Sequence, residues 1–160
     1  MAISFIQADY NNPKHASDLL LMLNAYASDP MGGGQALSSY SQQHLIASLK
    51  ARPFCFSILG YDDERPVAVA NCIEGFSTFK CKALVNIHDF AVIPEYRGKG
   101  ISQGLMQAIE SIAKEKDCCK ITLEVLQGNK VAQNAYLKAG FTSYELDPEM
   151  GAAMFWEKPL

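Results

Sequence analysis

Val92-Ile93-Pro94-Glu95-Tyr96-Arg97-Gly98-Lys99-Gly100-Ile101-Ser102 joins the end of a strand to the start of a helix through a turn with two glycines and two cations. Upstream, Ala83 to Val92 has strand composition. Downstream, Leu105, Met106, Ile109 and Ile112 recur at helical spacing between Ser102 and Lys116. A helix that starts at such a turn aims its first backbone N–H groups outward, at the positive end of its dipole. Glycine lets an anion approach with no Cβ in the way, and Arg97 and Lys99 add positive charge, so the segment suits phosphate. Taken alone, it is a common kind of turn. Gly98 and Gly100 meet only part of the pattern Gly-x-Gly-x-x-Gly, and the acidic ribose-binding residue of a dinucleotide site is not evident.

Working outward, Lys120 to Leu126 reads as the next strand and Asn129 to Ala139 as a helix closed by Gly140. Phe141 to Leu146 and Ala153 to Lys158 read as two last strands around the turn at Asp147-Pro148. On the N-terminal side, Phe54 to Gly60 and Pro66 to Phe76 form a hairpin about Asp62-Asp63-Glu64-Arg65. Ile3 to Ile6 is a short strand. A helix follows Asn12-Pro13, with Leu19, Leu20, Met22, Leu23 and Tyr26 on its apolar face, and Pro30 stops it. Gln42 to Ala51 reads as a second helix capped by Ser41. Met31-Gly32-Gly33-Gly34 between them has no strand before it and no Gly-Lys-Ser/Thr after it, which favours a loop beside a substrate entrance over a nucleotide loop. Phe76 and Phe79 either line a pocket or cover a sheet edge.

The 160 residues amount to one domain with a sizeable core, and 49% hydrophobic against 19% charged residues is globular rather than disordered composition. A net charge of −3 without a basic stripe argues against nucleic acid and leans towards cationic partners. Five cysteines without C-x-x-C spacing indicate neither a disulfide framework nor a metal site, which fits a reducing cytoplasm. Cys118-Cys119 reads as a pair of small buried residues entering a strand rather than a redox switch. No leader pattern appears, and no apolar run approaches the ~20 residues of a membrane span.

The stretch from Val92 to Ile101 resembles the acetyl-coenzyme A signature of the GNAT superfamily of N-acetyltransferases, (Arg/Gln)-x-x-Gly-x-(Gly/Ala), with Ser102 in the last small position. A second element agrees in order and spacing: Asn129-x-x-Ala132-x-x-x-Tyr136-x-x-x-Gly140-Phe141 is similar to the helix after the fifth strand in that superfamily. The resemblance implies a single GNAT-like domain over residues 1–160. Its fold would be mixed α/β, a mostly antiparallel twisted sheet of about six or seven strands flanked by about four helices. It further implies acetyl-CoA as acyl donor, an amine acceptor, and direct attack without a covalent enzyme intermediate. A homodimer is compatible with it. The other class open at this point is a module that senses acyl-CoA without turnover.

Acetyl transfer needs a base for the amine, donors for the thioester oxygen and an acid for the departing thiolate. By resemblance, Tyr136 is the acid and Asn129 contacts the cofactor. Their seven-residue separation places them on nearly one helical stripe. The backbone of Phe90, Ala91 and Val92 is expected to pair with the pantetheine arm, and Arg97, Gly98, Lys99, Gly100, Ile101 and Ser102 to hold the pyrophosphate. Glu124 resembles the base of the ribosomal-protein N-terminal acetyltransferases; otherwise it is a polar residue alternating along a strand. His88 and Asp89 compete with it. As neighbours on a regular strand they face opposite sides, so only one of them enters a given pocket. A water relay is the remaining route for the proton.

Overall fold

The computed structural model describes residues 2–160 and divides into two compact units, the first through Leu123 and the second from Glu124 to Leu160. In the first unit, β1 (Ile3–Gln7) leads to α1 (Pro13–Ser28) and α2 (Ser39–Lys50). The long strands β2 (Cys55–Asp62), β3 (Arg65–Ser77) and β4 (Lys82–Val92) follow, and then α3 (Ile101–Glu115) and β5 (Ile121–Leu123). The strands lie side by side in chain order. β1 to β4 pair antiparallel, and α3 is the crossover that allows β5 to add parallel to β4.

Helices α1 and α2 each begin where the sequence supplies a cap. The Asn12 side chain accepts from the N–H groups of Lys14 and His15, with Pro13 in the first turn. Ser38 caps α2 by accepting from Ser41 N–H, so the cap lies one turn before the serine expected for it. Both helices cover one face of the sheet, where Leu19 and Met22 meet Leu59, Tyr61 and Val69, and Ile46 and Leu49 pack alongside. The opposite face receives α3 through Ile101, Leu105, Met106, Ile109 and Ala113. Leu105 and Ile109 are fully buried there, each worth about 2 kcal/mol of apolar burial. A Cβ on Gly104 would stand 2.5 Å from the Phe5 ring, so the glycine lets α3 settle close against β1.

The second unit contains α4 (Lys130–Lys138), capped by Asn129 through Ala132 N–H and closed by Gly140 in the left-handed region at φ 93°. Among the described residues the strands expected at Phe141 to Leu146 and Ala153 to Lys158 are not formed, and the sheet has five strands rather than six or seven. A strand exists only as part of a ladder, and the backbone bond from Ala153 N–H to Tyr144 O does not by itself make one. Three of their aromatic residues stay exposed, Tyr144 at 55%, Phe155 at 74% and Trp156 at 79%. The mixed, mostly antiparallel α/β class and four α-helices are as expected. No helix among the described residues is long and apolar enough to cross a membrane.

Candidate functional site

Between the end of β4 and the start of α3 the chain makes one 3₁₀ turn, Pro94–Tyr96, and then passes through Arg97, Gly98, Lys99 and Gly100. Gly98 and Gly100 take φ 72° and 79°, a region that other residues enter only with strain. The N–H groups of Gly98, Lys99, Gly100, Ile101 and Ser102 have no backbone acceptor among the described residues. Five consecutive donors at the N-terminus of a 15-residue helix form a concave anion cradle. A Cβ on Gly98 or Gly100 would meet no described atom within 4 Å, so the turn is open around both glycines.

Charge at the turn is distributed differently from the sequence expectation. Arg97 donates from Nε to Val92 O at 2.9 Å and from Nη2 to Asp29 Oδ2 at 2.8 Å. Its charge is therefore countered by Asp29, and the side chain ties the turn to the segment that follows α1. Lys99 rests its ammonium 5.0 Å from the Tyr96 ring centre, while Tyr96 donates to Asp62 at 2.6 Å and so pins the turn to the β2–β3 hairpin. Asp29 also organises the glycine loop: it accepts from Met31 N–H through its side chain and from Gly32 and Gly34 N–H through its carbonyl.

The Arg97 hydrogen bond, and after it that of Met31 N–H, holds the Asp29 carboxyl below the ordinary carboxylate range. A depressed folded-state pKa contributes stability that is complete above the unfolded value of about 4 and fades as pH falls through the folded one. Asp29→Asn should therefore lower the melting temperature at pH 7 and converge on the parent protein near pH 2, which thermal melts at the two pH values will check.

β4 carries the site's main departure from regular geometry. Cys72 pairs with Ile87, but Asn71 pairs with Asp89, so His88 is an extra residue bulged out of the strand. The bulge shifts the alternation: Ile87 faces the α3 side with Cys72, and Asp89 faces the α1 side with Asn71. His88 also reaches that side, with Nδ1 3.3 Å from Asn86 Oδ1. The expectation that His88 and Asp89 face opposite sides therefore fails, because it assumed an unbroken strand. His88 is exposed, whereas Asp89 is half-buried and accepts a 3.0 Å hydrogen bond from Asn71 Nδ2.

On this side a groove of about 320 Å³ runs between the last turns of α1 and the end of β4, lined by Met22, Ala25, Tyr26, Asp29, Ala91 and Arg97 among others. Burial, and then the charges of Asp89 and Asp29, push the Tyr26 hydroxyl up. The groove thus carries one phenol that feels two carboxylates. The register of β5 with β4 runs only from Val85 to Ile87, ending where the bulge begins, and β4 continues through Phe90, Ala91 and Val92. For the same reason β5 stops at Leu123, short of the expected Leu126, and leaves Glu124 exposed beyond the strand. Glu124, Asn129 and Tyr136 all belong to the second unit. There the half-buried Tyr136 ring packs against Phe141, centres 5.9 Å apart.

A family model described as the acetyltransferase (GNAT) family matches residues 20–141, three quarters of the chain. The chain belongs to the GNAT family. Among curated relatives, this GNAT chain is 35% identical over 65 residues to thialysine N-epsilon-acetyltransferase of Bos taurus, covering 41% of the chain and 38% of that protein. It is 33% identical over 76 residues to the putative [ribosomal protein bS18]-alanine N-acetyltransferase of Bacillus subtilis (strain 168), covering 44% and 50%. The matches thus span half or less of the length of these relatives. The structure of AAC(6')-Iy in complex with the bisubstrate analog CoA-S-monomethyl-acetylneamine superposes with a TM-score of 0.76 at 15% identity, covering 100% of both chains, a likeness of fold.

Sequence reasoning passed over four polar residues of the groove and of the strands beneath it: Ser57, Asn71, Tyr26 and Asp29. Ser57 and Asn71 were detectable as lone polar residues at inward positions of apolar strands. Asp29 and Tyr26 carry no such local signal, because their partners Arg97 and Asp89 lie more than sixty residues away.

Proposed function

We propose that this chain transfers the acetyl group of acetyl-CoA to the amine of a small cationic acceptor, working as one domain over residues 1–160 in the cytoplasm. The observation that carries the donor is the run of five outward N–H groups from Gly98 to Ser102, which fits a pyrophosphate without help from Arg97. The family match crosses the boundary between the two units, which supports the single-domain reading. The backbone of Phe90, Ala91 and Val92, past the end of the β4–β5 ladder, is where the pantetheine arm pairs. Asn129, with its carbonyl used as the α4 cap, offers its amide N–H groups to the cofactor.

For the acceptor, the groove beside Tyr26 has Asp89 and Asp29 nearby, and Asp29 is already satisfied by Arg97. Asp89 is therefore the carboxylate that faces the incoming ammonium. The ammonium first gives a proton to Asp89, directly or through one water, and the freed lone pair then attacks the acyl carbon; the second N–H proton leaves the nitrogen to solvent as the amide forms. The C–S bond then breaks, and Tyr136 protonates the thiolate. His88 and Glu124 are the weaker bases because both side chains are exposed, whereas Asp89 is half-buried.

Free thiol release measured over a panel of small amines, amino acids and N-terminal peptides, with acetyl-CoA binding followed by calorimetry, tests the reading. Release with cationic small amines is expected. Tight binding with no release from any acceptor would replace it with a sensing module. Tyr136→Phe should lower kcat by about 10- to 100-fold with acetyl-CoA affinity nearly intact, since only the acidic hydroxyl is removed. Stopped-turnover kinetics beside calorimetry will separate the two effects.

A further inference from the structure

Two polar side chains lie inside the apolar core among the described residues, Ser57 fully buried and Asn71 7% exposed. A buried polar group is tolerated only when hydrogen-bonded. Here both are bonded in one line across the sheet. Tyr10 Oη stands 2.8 Å from Ser57 Oγ, Ser57 Oγ 2.6 Å from Asn71 Oδ1, and Asn71 Nδ2 3.0 Å from Asp89 Oδ2. Ser57, Asn71 and Asp89 are direct cross-strand partners on β2, β3 and β4.

The direction of every bond in this line follows from its last member. An ionised carboxylate only accepts, so Asn71 must turn its NH2 to Asp89 and its carbonyl to Ser57. Ser57 then spends its one hydrogen on Asn71 and accepts from Tyr10. The bulge at His88 completes the line, since continuing the Cys72–Ile87 register would set Asn71 opposite His88 instead of Asp89. We propose that Asn71, oriented by Ser57 and Tyr10, is a positioning residue that holds the Asp89 carboxylate aimed at the acceptor amine. This rests on the assignment of Asp89 as the group that takes the amine proton.

Asn71→Leu keeps the volume and removes the donor. It should lower kcat about 10-fold with acetyl-CoA affinity unchanged by calorimetry. Ser57→Ala should lower it less, and Tyr10→Phe least, because each acts one bond further from Asp89. Asn71→Asp sets a second carboxylate beside Asp89, where the two cannot both ionise easily, so the acid limb of kcat/KM should move up by about one pH unit or more. The other groups near Asp89 are Tyr26 from α1, Cys72 from β3 and His88 on β4 itself; Tyr26 and Cys72, both raised chiefly by burial and further by the Asp89 charge, stay neutral across that range. His88→Gln is therefore paired with Asn71→Asp, and a limb that moves in both backgrounds belongs to the carboxylates. If Asp89→Asn is inactive while Asn71→Leu and Asn71→Asp keep the parent kcat and pH profile, positioning by Asn71 is overturned and the base assignment stands. If Asp89→Asn itself keeps full turnover, the base assignment fails first. Should Asn71→Leu not fold, Ser57→Ala and Asn71→Asp decide in the same way.

Discussion

Asp89→Asn should lower turnover by about 10²- to 10⁴-fold and leave acetyl-CoA binding unchanged, the range set by loss of a positioned general base. The substitution is nearly isosteric, and the new amide can still present its oxygen to Asn71 Nδ2, so the Ser57–Asn71 line and the fold are preserved. What disappears is the acceptor for the amine proton and the charge that attracts the ammonium. Because the acceptor contact is also lost, KM for the amine should rise as kcat falls, and the defect should narrow at high pH, where the amine arrives already free of its proton. Steady-state kinetics from pH 6 to 9, with calorimetry against acetyl-CoA, will read each part. Turnover within a few-fold of the parent protein would pass the role to His88 or Glu124, to be separated by His88→Ala and Glu124→Gln.

Gly100→Val should weaken acetyl-CoA binding on the order of 100-fold, the equivalent of two lost charge-assisted hydrogen bonds at about 1.5 kcal/mol each. Gly100 sits at φ 79°, and a β-branched residue there either strains the backbone or reshapes the turn; its side chain would also stand in the open space before the cradle. Since that space holds no protein atoms, the cost to folding is confined to the backbone, about 1–2 kcal/mol. Gly33→Val is the matched control: Gly33 also has a positive φ, 113°, and open space around it, but lies in the loop after α1. It should lose comparable stability and keep acetyl-CoA affinity. Equal loss of affinity in the two variants would remove the cradle from the donor site.

Much of the first unit was legible because its signals are local. Asn12-Pro13 caps α1, the apolar spacing from Leu105 to Ile112 lies on the buried stripe of α3, and the hairpin of β2 and β3 turns at Asp63-Glu64. The second unit was legible only in α4 and its closing glycine. The residue types from Phe141 onward suit a strand, but strand formation depends on a partner edge that no local pattern encodes.

At the site the division is sharper. The sequence by itself determined the family and the glycine turn ahead of α3, because both rest on residues contiguous in the chain, where glycine conformation and a helix N-terminus follow from local sterics and dipoles. Only the tertiary structure decided how the turn's charges are used and which way Asp89 faces. Arg97 finds Asp29 across 68 residues, and a single extra residue at His88 reverses the face of everything after it in β4. The period of a strand is two, so one bulge, invisible in composition, is enough to turn Asp89 from the helix α3 side to the end of a buried polar line begun at Tyr10.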